Sequence, residues 1–400
     1  MQRVLFAFSG GIDDVLAVHH LSRTRGHAVT AFLADIGQQA YLEPLGELAL
    51  ECGAAATVVV DLREAFLRRF AFPALRAGAH YENYLLATPL SRYAICEELV
   101  RYAKENHIEV LGHGASNQGN DQVRVEASIA ALASEMEVLS PIRDLNFGSV
   151  DERIAHLRRH HLPERPHFLR DVSIDRNLWG CGQVHGSLAD PWESPPESIY
   201  LLTRSPMDAP AEPIEVTLGF RSGVPVSLDE QELSPLALVE ALNHVGGEHG
   251  IGRLDHVENG LLGGKTREVY EAPAATILYR AHQALEEIVQ SRELYRYGRR
   301  AGEEYGRLVF EGLWFSELRE ALDRFFDSTQ RYITGRVRLR LFRGRAVVTG
   351  RESHFSLYEP AASDSPERKK SLRGVSKGFV DVVRQVRKSE ASHRRRPDHP

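Results

Sequence analysis

The stretch RVLFAFSGGIDDVLAVHHL, residues 3–21, decides the fold class of this chain. A continuous apolar run, RVLFAF, ends in a Ser-Gly-Gly turn, after which apolar residues recur at roughly helical spacing. This order predicts a buried strand that enters a glycine-rich turn and continues as a helix. The backbone N–H groups of such a turn, together with the positive end of the helix dipole, favour an anion.

The same alternation of strand and helix continues through the first half of the chain. Apolar runs predict further strands at residues 28–34, 57–62, 109–114 and 137–142, with helices notably at 90–105 and 122–134. Strands that alternate with helices imply right-handed crossovers and a mostly parallel sheet covered on both faces. We therefore expect an α/β, Rossmann-like nucleotide-binding domain over residues 1–165.

A second pattern begins between Pro163 and Leu178. Hairpins are predicted at 214–228 and 337–350, and helical patterns at 234–248 and from about 274 to 329. Strands and helices that do not alternate predict an α+β domain, which we place at residues 166–360.

Residues 361–400 form a basic tail that is expected to be helical in part or disordered. It contains RKK (368–370) and RRR (394–396), and GFVDVVRQV (378–386) fits one amphipathic helix. The tail is either a nucleic-acid arm or a solvated segment that docks on a neighbouring subunit. The second interpretation is favoured, because a basic run without an aromatic platform is weak evidence for nucleic acid.

Composition excludes several classes of protein. Among 400 residues, 49 basic and 55 acidic side chains give a net charge of -6, unlike a polycationic nucleic-acid coat. The three cysteines form no CxxC pair, which argues against a disulfide framework or a cysteine zinc site. The N-terminal apolar run is too short for a signal peptide, and no run approaches the roughly 18 apolar residues of a membrane span. A cytoplasmic protein without a membrane partner is expected.

The glycine-rich turn AFSGGIDD, residues 7–14, is the sharpest candidate site. Gly10 and Gly11 remove the Cβ atoms that would obstruct a phosphate, and Ser9 can donate its hydroxyl. Asp13 is placed to orient the turn amides or to meet a magnesium ion. An ordinary tight turn remains the alternative, but the SGGxD form favours the ATP-binding loop of N-type ATP pyrophosphatases. The end of the second strand, residues 32–36, is then expected at the adenine or ribose.

A second candidate site is the polar loop HGASNQGNDQVRVE, residues 113–126, which follows the fourth strand. Polar loops at the carboxyl ends of parallel strands are where open sheets bind ligands. Asn120 can donate and accept hydrogen bonds, Arg124 can clamp a carboxylate or ureido oxygen, and Ser116 can bind a carboxylate. An ordinary loop that caps the next helix is the alternative.

Several further segments join these two loops in one resemblance. In order along residues 3–358, the chain resembles the argininosuccinate synthase family, a group of N-type ATP pyrophosphatases with an adenine nucleotide alpha hydrolase-like domain. The segments are ADIGQ (34–38), SIDRNLWG (173–180), DHVENGLLGGKTREVYEAP (255–273), GLWFSELREALD (312–323) and GRESHFSLY (350–358). The resemblance implies a ligase of arginine biosynthesis that joins citrulline to aspartate. It also implies ATP and Mg²⁺ as cofactors, AMP and pyrophosphate as products, and a homotetramer.

The resemblance also assigns residues to substrates. The ATP-binding positions are Ala7, Phe8, Ser9, Gly10, Gly11, Ile12, Asp13, Asp14, Val15, Ala34 and Gly114. The aspartate-binding positions are Ser116, Asn120 and Asp121. The positions at citrulline or a related acceptor are Tyr84, Pro89, Asn120, Arg124, Ser173, Gly182, Glu258 and Tyr270. Asp13, Asn120 and Arg124 are the expected catalytic residues; no protein ligand is assigned to a metal, and Mg²⁺ is expected to arrive with ATP.

Four of these positions depart from the family pattern. Asp14 and Val15 stand where hydroxyl side chains usually serve the phosphates, and Pro89 and Gly182 stand where serines bind citrulline. Three alternatives therefore stay open: a paralogue that aminates a different acceptor, an ATP-binding paralogue without activity, and an RNA-modifying ATP pyrophosphatase. The net charge of -6 opposes the last of these.

Overall fold

Five parallel strands form the sheet that leads into the glycine-rich turn. The computed structural model describes residues 1–38, 42–116, 119–145, 147–165, 168, 173–184, 186–358 and 366–394, with backbone alone for 366–374 and 390–394. The strands are β1 (Arg3–Ala7), β2 (Ala28–Asp35), β3 (Ala56–Asp61), β4 (Val110–His113) and β5 (Glu137–Leu139). The predicted parallel sheet is confirmed.

The order of the strands, β3-β2-β1-β4-β5, places a crevice between β1 and β4. The chain turns from β1 toward β2 on one side, whereas β4 lies on the other. Ala7 pairs with His113 at the carboxyl ends of these two strands. The glycine-rich turn and the polar loop therefore lie side by side, at the position where open parallel sheets bind ligands.

Helices between residues 12 and 159 either cover the two faces of this sheet or, from residue 63 to 77, pack against the later part of the chain. They are α1 (Ile12–His19), extended by the π-helical segment His20–Thr24, α2 (Leu42–Glu51), α3 (Arg63–Phe66), the π-helical segment Leu67–Ala71, α4 (Phe72–Ala77), α5 (Ala87–Glu105), α6 (Asp121–Leu132), α7 (Pro141–Leu145) and α8 (Val150–Arg159). Leu16 and Leu48 belong to the apolar cluster on one face, and Leu99 and Ile129 to that on the other.

The predicted fifth strand is too long. It ends at Leu139 instead of residue 142, because Pro141 begins α7. Proline lacks the N–H that a sheet requires but fits the first turn of a helix, where that N–H has no partner.

Among the described residues from 173 to 352, two antiparallel sheets and four α-helices make up the next part of the chain, with short 3-10 helices at Gly186–Leu188 and Glu197–Ile199. The sheets have the orders β11-β12-β7-β6 and β10-β9-β8-β13-β14. The strands are β6 (Ser173–Asn177), β7 (Gly180–Val184), β8 (Ile214–Arg221), β9 (Val224–Leu228), β10 (Gln231–Glu232), β11 (Arg253–Asn259), β12 (Lys265–Glu271), β13 (Gly335–Phe342) and β14 (Arg345–Glu352). The helices are α9 (Pro235–Glu248), α10 (Pro273–Val289), α11 (Arg292–Phe310) and α12 (Glu317–Gln330).

The predicted α+β character of this part is confirmed, as are both hairpins, β8–β9 and β13–β14. The long helical stretch from about residue 274 proves to be three helices. Ser291 and Ser316 accept backbone N–H groups as the caps that start α11 and α12. The sheet that contains β6, β7, β11 and β12 was not anticipated from the sequence.

The largest apolar core joins residues 66–94 to residues 178–341. Residues 1–355 form one compact unit, and the predicted boundary near residue 165 stays a prediction. Residues 356–400 form a separate unit, which contains the helix α13 (Pro366–Arg394). Across the described part of the chain, every helix is too short or too polar to cross a bilayer.

A buried carboxylate ties the loop at 201–203 to the end of β12. Glu271 is fully buried and accepts hydrogen bonds from the backbone N–H groups of Leu201 (2.7 Å), Leu202 (2.9 Å) and Thr203 (2.9 Å). The Thr203 hydroxyl and the Gln183 amide donate to the same carboxylate. Because every one of these partners is a hydrogen-bond donor, position 271 requires a side chain with two acceptor oxygens.

We expect Glu271→Gln to lower the free energy of unfolding by about 3 kcal/mol, because its amide would face N–H donors and leave them unpaired. Urea denaturation followed by circular dichroism measures this loss. Glu232→Gln, which alters an exposed carboxylate paired with Arg221, is the matched control and should change little. Equal stability of the two variants would contradict the assigned role of Glu271.

Candidate active site

The glycine-rich turn connects β1 to α1 through one left-handed residue. Gly10 has φ 82°, and a Cβ atom there would also collide with Leu45. Glycine is therefore required at this position for both conformation and space. Gly11 is the N-cap of α1 and offers no side-chain hydrogen bond to the first N–H groups of the helix.

The carboxylate of Asp14 lies inside this turn. Its Oδ2 atom accepts hydrogen bonds from the Ser9 N–H (2.5 Å) and the Ser9 hydroxyl (2.7 Å). The side chain is buried against Gly114, and burial raises the pKa of Asp14 to about 6 despite these bonds. Asp14, which stands where a hydroxyl side chain usually serves the phosphates, thus occupies donors suited to an anion.

Asp13 lies at the same turn and faces a cation. Arg153 of α8 places its Nε 3.1 Å from the Asp13 Oδ1. Burial raises the pKa of the Asp13 carboxyl, and Arg153 opposes that rise. Two adjacent carboxylates therefore begin α1, with one arginine beside them.

The other predicted ATP-binding residues surround the same crevice or support it. Ala7 and Phe8 pair with Phe32 of β2 through backbone contacts, and Gly114 follows β4. Ala34 pairs with Val60 inside the sheet, and Ile12 packs beside the core beneath the turn. Val15 is fully buried in that core, so its side chain contacts apolar neighbours.

The polar loop carries an ion-paired cluster that spans two helices and a strand. Asp121, the first residue of α6, accepts hydrogen bonds from Arg92 Nε (2.8 Å) and Arg124 Nη1 (2.9 Å). Arg92 of α5 also pairs with Asp175 of β6. Burial alone raises the pKa of the Asp121 carboxyl, but the two arginines outweigh burial and hold it at about 2.

Asn120 and Arg124 connect this cluster to the later half of the chain. The Asn120 Oδ1 atom accepts the N–H of Leu261, in the turn between β11 and β12, at 3.1 Å. Arg124 is buried, donates from Nε to the Phe310 carbonyl at 2.9 Å, and lies 4.8 Å from the centre of the Phe310 ring. Ser116 lies at the described edge of the loop; Asn117 and Gln118 lie outside the described residues.

Two stacked tyrosines form one wall of a second cluster. The rings of Tyr84 and Tyr270 lie 3.8 Å apart at 12°. Tyr84 follows a two-residue turn in which Glu82 and Asn83 are both left-handed, with φ 49° and 74°. The Tyr84 hydroxyl accepts the N–H of Thr88 at 2.6 Å, which fixes the ring at the start of α5.

The Tyr270 hydroxyl lies between two carboxyl groups, those of Glu258 and Glu268. The Tyr270 hydroxyl lies 2.9 Å from Glu258 Oε2 and 2.5 Å from Glu268 Oε2, although it has one proton to donate. Burial and the Glu268 charge raise the pKa of Glu258 to about 8. The raised pKa favours the protonated form of Glu258, which can donate to the Tyr270 hydroxyl while that hydroxyl donates to Glu268.

Gly182 faces the same tyrosine from the neighbouring strand. Gly182 of β7 pairs with Tyr270 of β12, and a Cβ atom there would lie 2.9 Å from the Tyr270 Cε1. Pro89 is buried in the first turn of α5. Ser173 begins β6, where it is exposed and pairs with Val184.

Sequence reasoning missed four polar residues of these clusters. Asp175 lies within SIDRNLWG, a segment that carries the family resemblance, so the pattern contained a signal for it, whereas Arg92 lies outside those segments. Glu268 lies two residues before Tyr270, where strand alternation puts both side chains on one face. Arg153 lies in a charged amphipathic helix and carries no local signal at all.

Comparisons with known proteins agree on one family. Residues 3–163 match the family described as "Arginosuccinate synthase N-terminal HUP domain", and residues 172–388 match "Arginosuccinate synthase C-terminal domain". The chain is 43% identical over 359 residues to the argininosuccinate synthase of Desulfitobacterium hafniense, which covers 90% of each chain. It is 42% identical over 384 residues to that of Aquifex aeolicus, which covers 95% of this chain and 96% of the relative.

One solved structure is also similar in part, a predicted subunit of a tRNA methyltransferase from Methanocaldococcus jannaschii. It is 17% identical, covers 40% of this chain and 76% of its own, and has a TM-score of 0.30. A score this low supports no conclusion about fold or function.

We expect the Glu258 carboxyl to titrate near pH 8, because burial and the Glu268 charge both favour its neutral form. Side-chain ¹³C NMR on glutamate-labelled protein measures this, with Glu258→Gln to assign the signal. Glu268→Gln removes the neighbouring charge and should shift the midpoint to lower pH. A Glu258 midpoint near 4.5 in the unaltered chain would contradict the proton chain described above.

Proposed function

The chain belongs to the argininosuccinate synthase family, and on that premise we propose that it joins aspartate to citrulline, or to a related acceptor, with cleavage of ATP to AMP and pyrophosphate. The prediction of an ATP-dependent carbon–nitrogen ligase is confirmed at the level of the family. The identity of the acceptor and the assignment of individual residues to substrates are the proposal.

The reaction consists of two displacements. The ureido oxygen of the acceptor attacks the α-phosphorus of ATP, and the bond to pyrophosphate breaks. The aspartate amine then attacks the activated carbon, loses a proton, and AMP leaves with the former ureido oxygen. The protein contributes alignment and electrostatic stabilisation, because no covalent bond to a side chain is required.

The observation that supports the proposal most is the contact between the polar loop at residues 113–126 and the cluster around Glu258 and Tyr270. Asn120, expected at both aspartate and acceptor, touches the β11–β12 turn that follows Glu258. Arg124 pairs with Asp121 on the aspartate side and interacts electrostatically with Glu258 on the acceptor side. ATP at the glycine-rich turn would then lie across the β1–β4 crevice from the aspartate-binding loop.

Magnesium is expected to enter with ATP. Within the described residues, no group of three or more His, Cys, Asp or Glu side chains is arranged to hold a metal. At nucleotide sites Mg²⁺ is usually bound by substrate phosphates and waters together with one or two carboxylates. When bound, the ion neutralises charge on the triphosphate.

Pyrophosphate release with Mg-ATP, aspartate and citrulline tests the function, with each substrate omitted in turn. We expect release that needs all three, with argininosuccinate identified by mass. Release with another ureido or amide compound, but not with citrulline, would establish a different acceptor. Absence of release from folded, ATP-binding protein, after such acceptors have also been screened, would favour the paralogue without activity.

A second candidate, an acceptor other than citrulline, is favoured by Gly182 and Pro89. The Tyr270 ring lies where a side chain at position 182 would begin, so the lost serine is not replaced by an open pocket. Pro89 offers no hydroxyl and no N–H. Gly182 lies against the Tyr270 ring, and Pro89 follows Thr88, whose N–H donates to the Tyr84 hydroxyl, on the side where the acceptor is expected.

We expect Gly182→Ser to weaken acceptor binding by about tenfold instead of improving it, because its Cβ would push the Tyr270 ring aside. The KM for the acceptor, measured with ATP and aspartate saturating, reports this effect. Gly182→Ala separates the steric change from the hydroxyl and should behave alike. A lower KM for Gly182→Ser than for the unaltered chain would show that the hydroxyl alone was missing.

We also propose that the chain is a homo-oligomer, with the tetramer as the form that the family implies. Support comes from α13, which exposes an apolar stripe on one face. Its members are each at least 41% exposed: Val375, Phe379, Val382, Val383 and Val386. A second copy of this chain is the partner expected for the stripe, and light scattering of the purified protein measures the assembly.

A further inference from the structure

The glycine-rich turn is already occupied by an anionic group, the side-chain carboxylate of Asp14 in α1. One oxygen of Asp14 receives both the N–H and the hydroxyl of Ser9, and the Gly10 N–H also contributes a hydrogen bond. The carboxylate lies against Gly114 and thus in the crevice between the ends of β1 and β4. A phosphate that bound this turn would need the same donors and the same space.

These donors cannot serve both groups. A backbone N–H carries a single proton, so a phosphate oxygen that accepts the Ser9 N–H must take the place of Asp14 Oδ2. Two anions in one crevice would also repel each other. Phosphate binding at this turn therefore requires the carboxylate to move out of it.

Arg153 is the cation that the fold brings to the turn. The first turn of α1 contains two acidic side chains and no basic one. Among the described residues, Arg153 pairs with Asp13 through Nε, at a geometry that forms no hydrogen bond. Its two terminal nitrogens carry four further N–H donors, in the planar arrangement that suits a phosphate.

We propose that nucleotide binds this turn by exchange: Asp14 leaves the donors of Ser9 and Gly10, and Arg153 passes from Asp13 to the incoming phosphates. The inference rests on the proposed function, which places ATP at this turn. It adds an internal competitor, Asp14, and a phosphate-binding residue, Arg153, contributed by a helix outside the motif. In the free protein, Ser9 donates to Asp14 and Arg153 pairs with Asp13. In the nucleotide complex, Ser9 and Arg153 would bind the phosphates instead.

The binding of Mg-ATP alone, measured by calorimetry, tests the exchange without the other substrates. Asp14→Asn keeps the shape of the side chain and removes its charge, so we expect ATP to bind about tenfold or more tightly. Asp14→Thr should also bind more tightly than the unaltered chain. Arg153→Gln should bind about tenfold or more weakly, and Arg153→Lys should recover part of the loss because it restores charge without the planar geometry.

Arg158→Gln is the matched control. Arg158 lies on the same helix, is exposed and pairs with Glu164, so its loss should leave ATP affinity unchanged. The midpoint of thermal unfolding of each variant shows that the protein is folded. ¹³C NMR of labelled aspartate gives a second readout, since the Asp14 signal should move when ATP is added to the unaltered chain.

Two results would overturn the exchange. ATP that binds the unaltered chain and both Asp14 variants with equal affinity would show that Asp14 does not compete, and the proposed function would survive. Unchanged affinity in Arg153→Gln would likewise remove the phosphate contact. If folded protein binds no ATP in the unaltered chain or in any variant, then the assignment of ATP to the turn fails together with the exchange.

Discussion

The part-buried ion pairs around Asp121 hold the candidate site in one arrangement. Arg92 of α5, Arg124 of α6 and Asp175 of β6 meet at or next to this carboxylate, so three elements are joined by charge. Removing Arg92 or Arg124 would leave the part-buried Asp121 carboxylate with one cationic partner fewer, which would weaken the connection between these elements. A reaction that depends on aligning three substrates needs such fixed geometry more than it needs a reactive side chain.

The tyrosine cluster, where the acceptor is expected, depends on a different physical effect. Tyr84 and Tyr270 stack, and Glu258 lies behind them with its pKa raised by burial and by Glu268. Apolar rings exclude water, which strengthens every electrostatic interaction nearby. A neutral Glu258 can donate a hydrogen bond, whereas an ionised Glu258 attracts an ammonium group. The pH therefore decides whether the tyrosine cluster favours a hydrogen-bond acceptor or a cation.

The departures from the family are not simple losses. Where a hydroxyl would serve the phosphates, the Asp14 carboxylate occupies the turn donors. Where a serine is expected, Gly182 allows the Tyr270 ring to approach its strand. Pro89 lies in the first turn of α5, where a missing N–H breaks no helical hydrogen bond. The Asp14 carboxylate and the Tyr270 ring thus fill the space at the first two altered positions, and neither substitution leaves an open pocket.

The sequence by itself determined the α/β sheet, its glycine-rich turn and the family. These features can be read from the sequence because apolar periodicity and glycine conformation depend on residues that are close together in the chain. It failed where pairing partners are distant: the strand at Ser173–Asn177 is polar, and its sheet is completed by residues near 270. Arg153 likewise has an ordinary helical surface pattern. Only the tertiary structure decided that it meets Asp13, because burial and charge pairing depend on residues that the fold, not the chain order, brings together.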